Sequence, residues 1–327
     1  MTERIGLGLD VSKLTFDACI LRHGAKPIRN KFPNSAKGFN QLLVWLYGFD
    51  RDQLHACLEP TGVYSKGLAN FLWQQGLRVS QVNSYAVQCH GRSKNFRSKT
   101  DRIDAFLLAD YCLMQNPPTW EPPSPVQAEL KEIQRRLASL DEQIRQEENR
   151  LEAVECAIVR EDIEDNLGRL YVRRKRFEAA AKSLVKKNES LATNYAIVNS
   201  IIGLGEKSSL RLLALVQFEN FSDGRQVGCY AGLTPRQFDS GTSIHKRPRI
   251  SRVGNSELRA ALYFPAMVAM QHNPQMREFA ERLKAKNKPP KVIICAVMRK
   301  LLVLATMLIN KQQFYDPNYR SSLMSPS

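Results

Sequence analysis

The first 116 residues alternate short apolar runs with amphipathic stretches. The apolar runs predict β-strands at residues 5–9, 15–22, 28–32, 56–59 and 78–82. Apolar spacing of helical period predicts helices at residues 35–47, 64–75 and 101–115. Three early strands followed by alternating helices and strands indicate an α/β domain over residues 1–116, with a mixed sheet flanked by helices.

A different pattern follows the proline-rich segment 116–125, which interrupts regular structure and marks a boundary. From residue 126 to 158, and again from 163 to 191, apolar residues recur at alternating spacings of three and four. Polar residues break this seam at Glu147, Arg174 and Asn188. The pattern predicts a helical pair or a dimerising coiled coil within a helical linker of residues 117–194.

Residues 195–327 predict a mainly helical C-terminal domain. The segment IIGLGEKSS resembles a helix-hairpin-helix element, in which backbone amides meet phosphate, and an ordinary helix-turn-helix in a core is the alternative. Residues 232–252 predict a polar loop, and residues 256–270 predict a helix. The apolar stretch 292–309 contains Arg299 and Lys300, so it predicts a buried helix instead of a membrane span.

The chain carries a strong positive charge. The 327 residues include 48 Lys and Arg against 32 Asp and Glu, which gives a net charge of +16. This surplus favours nucleic acid as a partner over a merely solvated basic surface. The seven cysteines show no CxxC pair and no accompanying histidine cluster, so we expect no zinc site and a reducing compartment. No signal-peptide pattern opens the chain, which predicts a cytoplasmic protein.

Four acids occupy positions that suit a metal site. Asp10 and Glu59 each end an apolar run, and Asp101 and Asp104 are spaced i and i+3 on a predicted helix, so they share a face. Carboxylate oxygens are preferred ligands of Mg²⁺, and pairs of such metals cleave phosphodiesters. The alternative is a set of ordinary surface acids, with Asp101 as a helix N-cap. The ordered combination of all four favours a Mg²⁺ site of the two-metal type.

Three acid-poor basic segments accompany these acids. They predict sequence-independent contacts with a nucleic-acid backbone, and a flexible or solvated surface is the alternative. Their basic residues are Arg92, Lys94, Arg97 and Lys99 before the acidic helix, Lys246, Arg247, Arg249 and Arg252 in the polar loop, and Lys284, Lys286, Lys288 and Lys291 near the C-terminus.

The polar loop also holds a candidate nucleophile, Ser240, in the small-residue sequence DSGTS. A serine beside an arginine cluster can attack phosphorus while guanidinium groups neutralise the charge of the transition state. The motif alone favours a plainer interpretation, a serine turn in a loop that contacts nucleic acid. Ser243 is a second candidate in the same motif.

The chain resembles the IS-one-ten (IS110) family of bacterial insertion-sequence transposases, which are bridge-RNA-guided recombinases. The motifs that carry the resemblance are GLDVSK, CLEPTGVY, KTDRIDA, IIGLGEKSS, and AGLTPRQFDSGTS followed by RISRVGNSELRAALY, and they span nearly the whole chain. The resemblance implies an RNase H-like (RuvC-like) N-terminal domain whose Asp-Glu-Asp-Asp tetrad falls on Asp10, Glu59, Asp101 and Asp104. It also implies a transposase domain over residues 195–327 whose nucleophilic serine falls on Ser240.

The resemblance further implies a mechanism and partners. The serine would form a covalent phosphoserine link to DNA, with Mg²⁺ on the tetrad, at a composite site between protomers of a dimer or tetramer. A structured non-coding guide RNA would pair with double-stranded target and donor DNA, at the bacterial nucleoid and without a membrane. The alternatives are a site-specific DNA invertase of the pilin-inversion type, a RuvC-like junction-resolving nuclease that uses activated water, and a non-catalytic nucleic-acid scaffold.

Overall fold

The computed structural model describes residues 4–60, 62–96, 100–240, 244–250 and 253–318. Contacts between residues divide the chain into two compact units, Met1–Pro122 and Pro123–Ser327. The first unit is a mixed α/β structure built on one five-stranded sheet, and the second unit is largely helical. The predicted combination of an α/β region and a largely helical remainder is therefore confirmed.

The first unit has five strands in the order β3-β2-β1-β4-β5. The central strand β1 pairs antiparallel with β2 and parallel with β4, while β3 extends the antiparallel side and β5 the parallel side. The bounds are β1 Ile5–Val11, β2 Thr15–Leu21, β3 Ile28–Pro33, β4 Leu54–Leu58 and β5 Arg78–Gln81, with helices α1 Ala36–Trp45, α2 Val63–Gln74, α3 Ser84–Ser93 and α4 Asp101–Gln115.

Helix α3 is missing from the sequence prediction. Its first residues follow Asn83, whose side chain accepts a hydrogen bond from the backbone N–H of Tyr85 and so caps the helix. Beyond this cap the helix is short and polar, and only Val87 and Gly91 are buried. A helix with so narrow an apolar face gives little periodic signal, which explains why the sequence pattern did not reveal it.

The two faces of the sheet have different coverings because side chains alternate along each strand. Ile5, Leu7 and Leu9 of β1 enter the main core, together with buried residues of α1 and α2. The opposite face of β1 carries Gly6 and Gly8, and a Cβ on Gly8 would lie 2.0 Å from the carbonyl oxygen of Ala105 in α4. Helix α4 therefore lies directly against the backbone of β1, an approach that only glycine allows.

The second unit begins with two long helices, α5 Pro125–Ala153 and α6 Ala157–Lys186. Their shared apolar cluster contains the buried residues Leu140, Ile144, Ile163, Leu167 and Leu170, all predicted seam positions. The polar seam residue Arg174 is accommodated by carboxylates, since its guanidinium lies 3.7 Å from Asp141 and 3.6 Å from Glu178. The two seams thus pack on each other within one chain.

The remaining helices surround a second core, to which α5 and α6 also contribute residues. They are α7 Glu189–Ser200, α8 Glu206–Leu215, α9 Gly224–Tyr230, α10 Ser256–His272, α11 Pro274–Ala285 and α12 Pro290–Lys311. Helix α12 alone, among the described residues, is long and apolar enough to cross a membrane, a test that core helices also pass. Buried residues such as Val297, Leu301 and Ala305 place it in this core, as predicted.

The predicted polar loop at residues 232–252 is wrong in one respect. Two strands, β6 Pro235–Ser240 and β7 Ile244–Ile250, pair antiparallel in this segment, with a register irregularity between Arg236 and Phe238. Strand β7 contains Pro248 and basic residues between its terminal isoleucines, a composition that is unfavourable for a strand. Pairing with β6, which sequence composition does not report, accounts for the difference.

Candidate active site

The register of the sheet brings Asp10 and Glu59 together. Strands β1 and β4 are parallel, and Leu9 pairs with Leu58. Asp10 follows Leu9 in β1, and Glu59 follows Leu58 at the end of β4, so the two acids lie beside each other at the carboxyl ends of neighbouring strands. Ligand sites in open α/β sheets commonly form at this edge.

Helix α4 adds the other two acids. Its contacts with Gly6 and Gly8 orient it antiparallel to β1, so its first turn lies at the end of the strand that holds Asp10. Asp101 and Asp104 occupy this first turn, Asp101 exposed and Asp104 half-buried. The N-cap is Thr100, whose hydroxyl accepts a hydrogen bond from the N–H of Ile103, so Asp101 does not serve as the cap.

We call Asp10, Glu59, Asp101 and Asp104 the acid tetrad. Their negative charges act on one another. Partial burial, the largest cause, and the negative charges of Asp104, Asp101, Glu59 and Asp17, in that order, together raise the pKa of Asp10 from 3.8 to about 6. Carboxylates raise one another's pKa when they share a site without a cation between them. Three of the four negative charges that contribute to the raised pKa of Asp10 therefore belong to the other tetrad acids.

A fifth acid, Asp17, was missed in the sequence. It lies on β2 directly opposite Asp10, and residues opposite each other in an antiparallel pair point to the same face. Asp17 is 8% exposed and forms an ion pair of 3.1 Å with Lys31 of β3, its own cross-strand partner. Pairing the predicted strands 15–22 and 28–32 as a hairpin would have located Lys31 opposite Asp17, but not Asp17 opposite Asp10.

Glu59 receives a hydrogen bond from outside the tetrad. The hydroxyl of Ser84, the first residue of α3, donates to Oε2 of Glu59. This bond holds one carboxylate oxygen of Glu59 in place at the edge of the sheet where Asp10 lies. Ser84 could not be singled out from local patterns, because its contact with Glu59 depends on the position of α3.

A cavity of about 630 Å³ adjoins the tetrad and carries mixed charge. Its lining includes the acids Asp17 and Asp101 and the basic residues Arg29, Lys31 and Arg102. Lysine and arginine side chains are the usual partners of nucleic-acid phosphates. The cavity thus offers phosphate ligands next to an acid cluster, and the sequence prediction did not name Arg29, Lys31 or Arg102.

The donor set of the tetrad fits a hard divalent cation, because all of its donors are carboxylate oxygens. Its oxygens are spread more widely than a closed cage: within the described ranges, the one trio of His, Cys, Asp or Glu ligand atoms lying within 4.8 Å of one another is His55, Cys57 and Cys112.

The trio just named lies deeper in the same unit, between β4 and α4. The side-chain hydrogen bond between its two thiols lowers the pKa of Cys112 to about 6 and raises the pKa of Cys57. We call His55, Cys57 and Cys112 the histidine–cysteine cluster.

The predicted basic contacts have varied surroundings. Arg92 is exposed at the end of α3, whereas the ammonium group of Lys94 binds the buried carboxylate of Asp110, which also contacts His90. Arg249 is exposed on β7. Exposed side chains also include Lys284, Lys286, Lys288 and Lys291. The positions Arg97, Lys99 and Arg252 lie outside the described residues, as do the side chains of Lys246 and Arg247.

The candidate nucleophile lies in the second unit. Ser240 is the last residue of β6, where its backbone pairs with Ile244 of β7. Its side chain and the whole of Ser243 lie outside the described part of the chain. The backbone thus places Ser240 at the end of a strand, before the connection to a basic strand.

An acid tetrad at the edge of a mixed sheet suits a metal-dependent enzyme that acts on nucleic acid. A family model for the DEDD transposase domain of IS110, described as a transposase, matches residues 7–154. A second model, for transposases of the IS116/IS110/IS902 family, matches residues 195–281.

Curated relatives agree with these models. A pilin gene-inverting protein of Moraxella lacunata is 32% identical over 314 residues, which is 95% of this chain and 97% of the relative, and the Moraxella bovis protein of the same name matches equally. An uncharacterised 43.6 kDa protein of the insertion element IS110 from Streptomyces coelicolor is 27% identical over 121 residues, 37% of this chain and 30% of the relative.

The chain belongs to the IS110 family of transposases. It is accordingly a DNA transposase or recombinase, an enzyme that acts on DNA, and its DEDD domain points to a divalent metal.

Proposed function

We propose that this protein is an RNA-guided DNA recombinase that uses Mg²⁺ at the acid tetrad and Ser240 as a nucleophile. The observation that carries the metal half of the proposal is the meeting of Asp10, Glu59, Asp101 and Asp104 at one edge of the sheet, through the parallel register of β1 and β4 and the packing of α4 on β1. An all-carboxylate set with unbalanced negative charge at the edge of a sheet suits Mg²⁺.

The chain's own residues divide the work in this proposal. Asp10, Glu59, Asp101 and Asp104 hold the metal, which when bound supplies positive charge to the reacting phosphodiester. Ser84 fixes one oxygen of Glu59 through its hydrogen bond. Arg29, Lys31 and Arg102 bind phosphates of the DNA backbone along the cavity beside the tetrad.

The strand-transfer step belongs to Ser240. Its Oγ forms a bond to phosphorus as the bond from phosphorus to the displaced sugar oxygen breaks, and the hydroxyl proton ends on that oxygen. The product is a phosphoserine link that stores the energy of the phosphodiester, so rejoining to another strand needs no nucleotide cofactor. Free hydrolysis would lose that energy.

Guide RNA and subunit assembly complete the proposal. The exposed lysines at 284–291 and Arg249 provide phosphate contacts for RNA and DNA alike. Sequence choice would then lie in base pairing with a structured non-coding RNA. The long helices α5 and α6 would support a dimer or tetramer in which Ser240 of one protomer serves the tetrad of another.

A trapping experiment tests the nucleophile. The protein is incubated with Mg²⁺, guide RNA and nicked DNA, and denaturing gels are used to detect a covalent protein–DNA adduct. We expect an adduct that is lost in Ser240→Ala and kept in Ser243→Ala. Free phosphate ends without an adduct would instead indicate a nuclease that activates water. An adduct that survives Ser240→Ala would refute the assignment.

Mixing two inactive variants tests the subunit arrangement. Asp104→Asn lacks a complete tetrad and Ser240→Ala lacks the nucleophile, so neither chain alone completes a strand transfer. We expect activity to return when the two variants are mixed, because each supplies the part that the other lacks. Activity that stays absent in mixed oligomers, verified by differently tagged chains, would place both parts in one protomer.

The second candidate function is site-specific DNA inversion without an RNA guide. The match to pilin gene-inverting proteins over 95% of this chain favours it. Ribonuclease treatment separates the two candidates, because it stops an RNA-guided recombinase and leaves a self-sufficient invertase active. Both arms of the experiment use the same pair of DNA substrates, with and without the non-coding RNA.

A further inference from the structure

The histidine–cysteine cluster joins the central sheet to helix α4. His55 and Cys57 lie two residues apart on β4, so both point to the face that α4 covers, and Cys112 extends from α4 towards them. All three side chains are buried, with residue exposures of 3%, 0% and 1%. Their ligand atoms lie within 4.8 Å of one another.

Hydrogen bonding at His55 identifies which ring nitrogen is free. The Ser80 hydroxyl donates its single hydrogen to the carbonyl of Pro118, 2.7 Å away, with the carbonyl of Pro117 at 3.2 Å. Since that hydrogen is engaged, the 2.7 Å contact between Ser80 Oγ and His55 Nε2 requires a proton on Nε2. Nδ1 of His55 is then an unprotonated acceptor.

No hydrogen bond of ordinary geometry reaches this acceptor from the described residues, although the Cys112 thiol and the His55 ring interact. Nδ1 of His55 is buried and, among the described residues, makes no hydrogen bond. A buried nitrogen lone pair without a donor is unfavourable by about 1–3 kcal/mol, and each such atom calls for an explanation. A cation beside two thiols supplies one, because histidine ligands characteristically donate their other ring N–H to an outer partner, here Ser80.

The ligand types and the charge select the cation. Two thiolates and one imidazole are soft or borderline donors, which suit Zn²⁺ and not Mg²⁺. A divalent ion with two thiolates is also neutral overall, as a fully buried position requires. Binding releases one proton from each thiol and changes no oxidation state.

We propose that His55, Cys57 and Cys112 supply three of the four ligands of one tetrahedral Zn²⁺, with a water molecule as the fourth, at a second metal site distinct from the acid tetrad. The ion would connect β4 to α4. Glu59 lies two residues beyond Cys57, and the first turn of α4 carries Asp101 and Asp104. The zinc site would therefore hold together the two elements that supply three of the four tetrad acids.

Metal analysis of the full-length protein tests this proposal. The protein is purified without a histidine tag, supplied with Zn²⁺ and desalted, and its zinc is measured by atomic emission. We expect about one zinc per chain, lost in Cys57→Ser and Cys112→Ser. The matched control is Cys19→Ser, because Cys19 is equally buried on β2 but lies outside the cluster; it should keep its zinc.

Cobalt substitution gives a readout on the wild-type chain, which does not depend on how the variants fold. Co²⁺ bound to two thiolates in this site should produce thiolate-to-cobalt charge-transfer absorption that Zn²⁺ abolishes. Absence of this absorption together with zinc well below one per chain would overturn the proposal. A thiol titration of the denatured protein then distinguishes the two remaining explanations. Two missing thiols would indicate a Cys57–Cys112 disulfide, and a full count of thiols would indicate a pair of ordinary core cysteines.

Discussion

The acid tetrad and the histidine–cysteine cluster use the same structural elements for opposite chemistry. Both combine residues of β4 with residues of α4 on one face of the sheet, and Cys57 and Glu59 are only two positions apart. The tetrad lies at the edge, partly exposed, with oxygen donors only. The cluster lies inside, fully buried, with nitrogen and sulfur donors.

Depth in the fold explains the contrast. At the edge, water and substrate can solvate several carboxylates, so excess negative charge is tolerated and is available for a metal that reacts with substrate. In the interior, uncompensated charge is strongly unfavourable, so only a neutral arrangement of few ligands is stable. One helix packed on one strand can therefore support an exposed catalytic site and an enclosed structural one.

The largest expected effect is a loss of DNA cleavage when the acid tetrad is altered. Asp104→Asn removes one negative ligand of the tetrad and should lower the DNA cleavage rate on the order of 1,000-fold, because several kcal/mol of metal-dependent stabilisation are lost. DNA binding, measured by gel shift, should remain. The control is Asp52→Asn, an exposed acid outside the tetrad. Wild-type cleavage by Asp104→Asn would remove Asp104 from the metal site.

A substitution at the shared packing surface should damage both sites at once. Gly8→Ala would put a Cβ 2.0 Å from the carbonyl oxygen of Ala105, so α4 must move away from β1. We expect a loss of about 3 kcal/mol in the free energy of unfolding, measured by urea denaturation.

The matched control for Gly8→Ala is Gly67→Ala in helix α2. A Cβ there meets the Phe39 ring at 3.7 Å, an ordinary contact. This variant should be neutral or stabilised by about 0.5–1 kcal/mol, since alanine favours helices over glycine. Equal stability of Gly8→Ala and the wild type would contradict the close packing of α4 on β1.

When no metal is bound, the ionised Asp10 should make the folded protein less stable than a variant with a neutral side chain at this position. The pKa of Asp10 is raised from 3.8 to about 6 by folding, so its ionisation opposes folding fully above about pH 6 and not at all well below pH 4. In metal-free buffer at pH 7, Asp10→Asn should stabilise the protein by about 1–2 kcal/mol, after allowance for solvent screening of this partly exposed group.

The pH dependence of this gain is the discriminating result. The stabilisation by Asp10→Asn should disappear at pH 3.5, where the wild-type carboxyl is also neutral, and Asp52→Asn should show no such change between the two pH values. Thermal melts of the three chains at each pH measure it. A gain of equal size at both pH values would mean that packing, not charge, is responsible.

The smallest expected effect comes from removing the hydrogen bond that Ser84 donates to Glu59. Ser84→Ala removes the hydroxyl that donates to Oε2, a bond worth about 1 kcal/mol. Cleavage at limiting Mg²⁺ should fall by about threefold to tenfold, and saturating Mg²⁺ should restore most of it. Ser93→Ala is the control on the same helix, since its hydroxyl donates to the backbone carbonyl of His90 and not to a tetrad acid. A loss that Mg²⁺ does not relieve would assign Ser84 another role.

The sequence by itself determined the features that arise from local patterns. Short apolar runs predicted all five strands of the sheet, and the i, i+3 spacing placed Asp101 and Asp104 on one turn of α4. Asp10 and Glu59 could be recognised because each follows an apolar run, and acids at strand ends are a local signal. The apolar seams of α5 and α6 were also predicted from local spacing along the chain.

Only the tertiary structure decided which distant residues meet. Asp17 joins the tetrad through the antiparallel register of β1 and β2, and Cys112 reaches His55 across 57 positions of sequence. The approach of α4 to β1 depends on Gly6 and Gly8, whose close contacts with α4 no periodicity reveals. Strand register and helix packing are set by contacts between segments far apart in the chain, so the sequence could name ligand types but not assemble them.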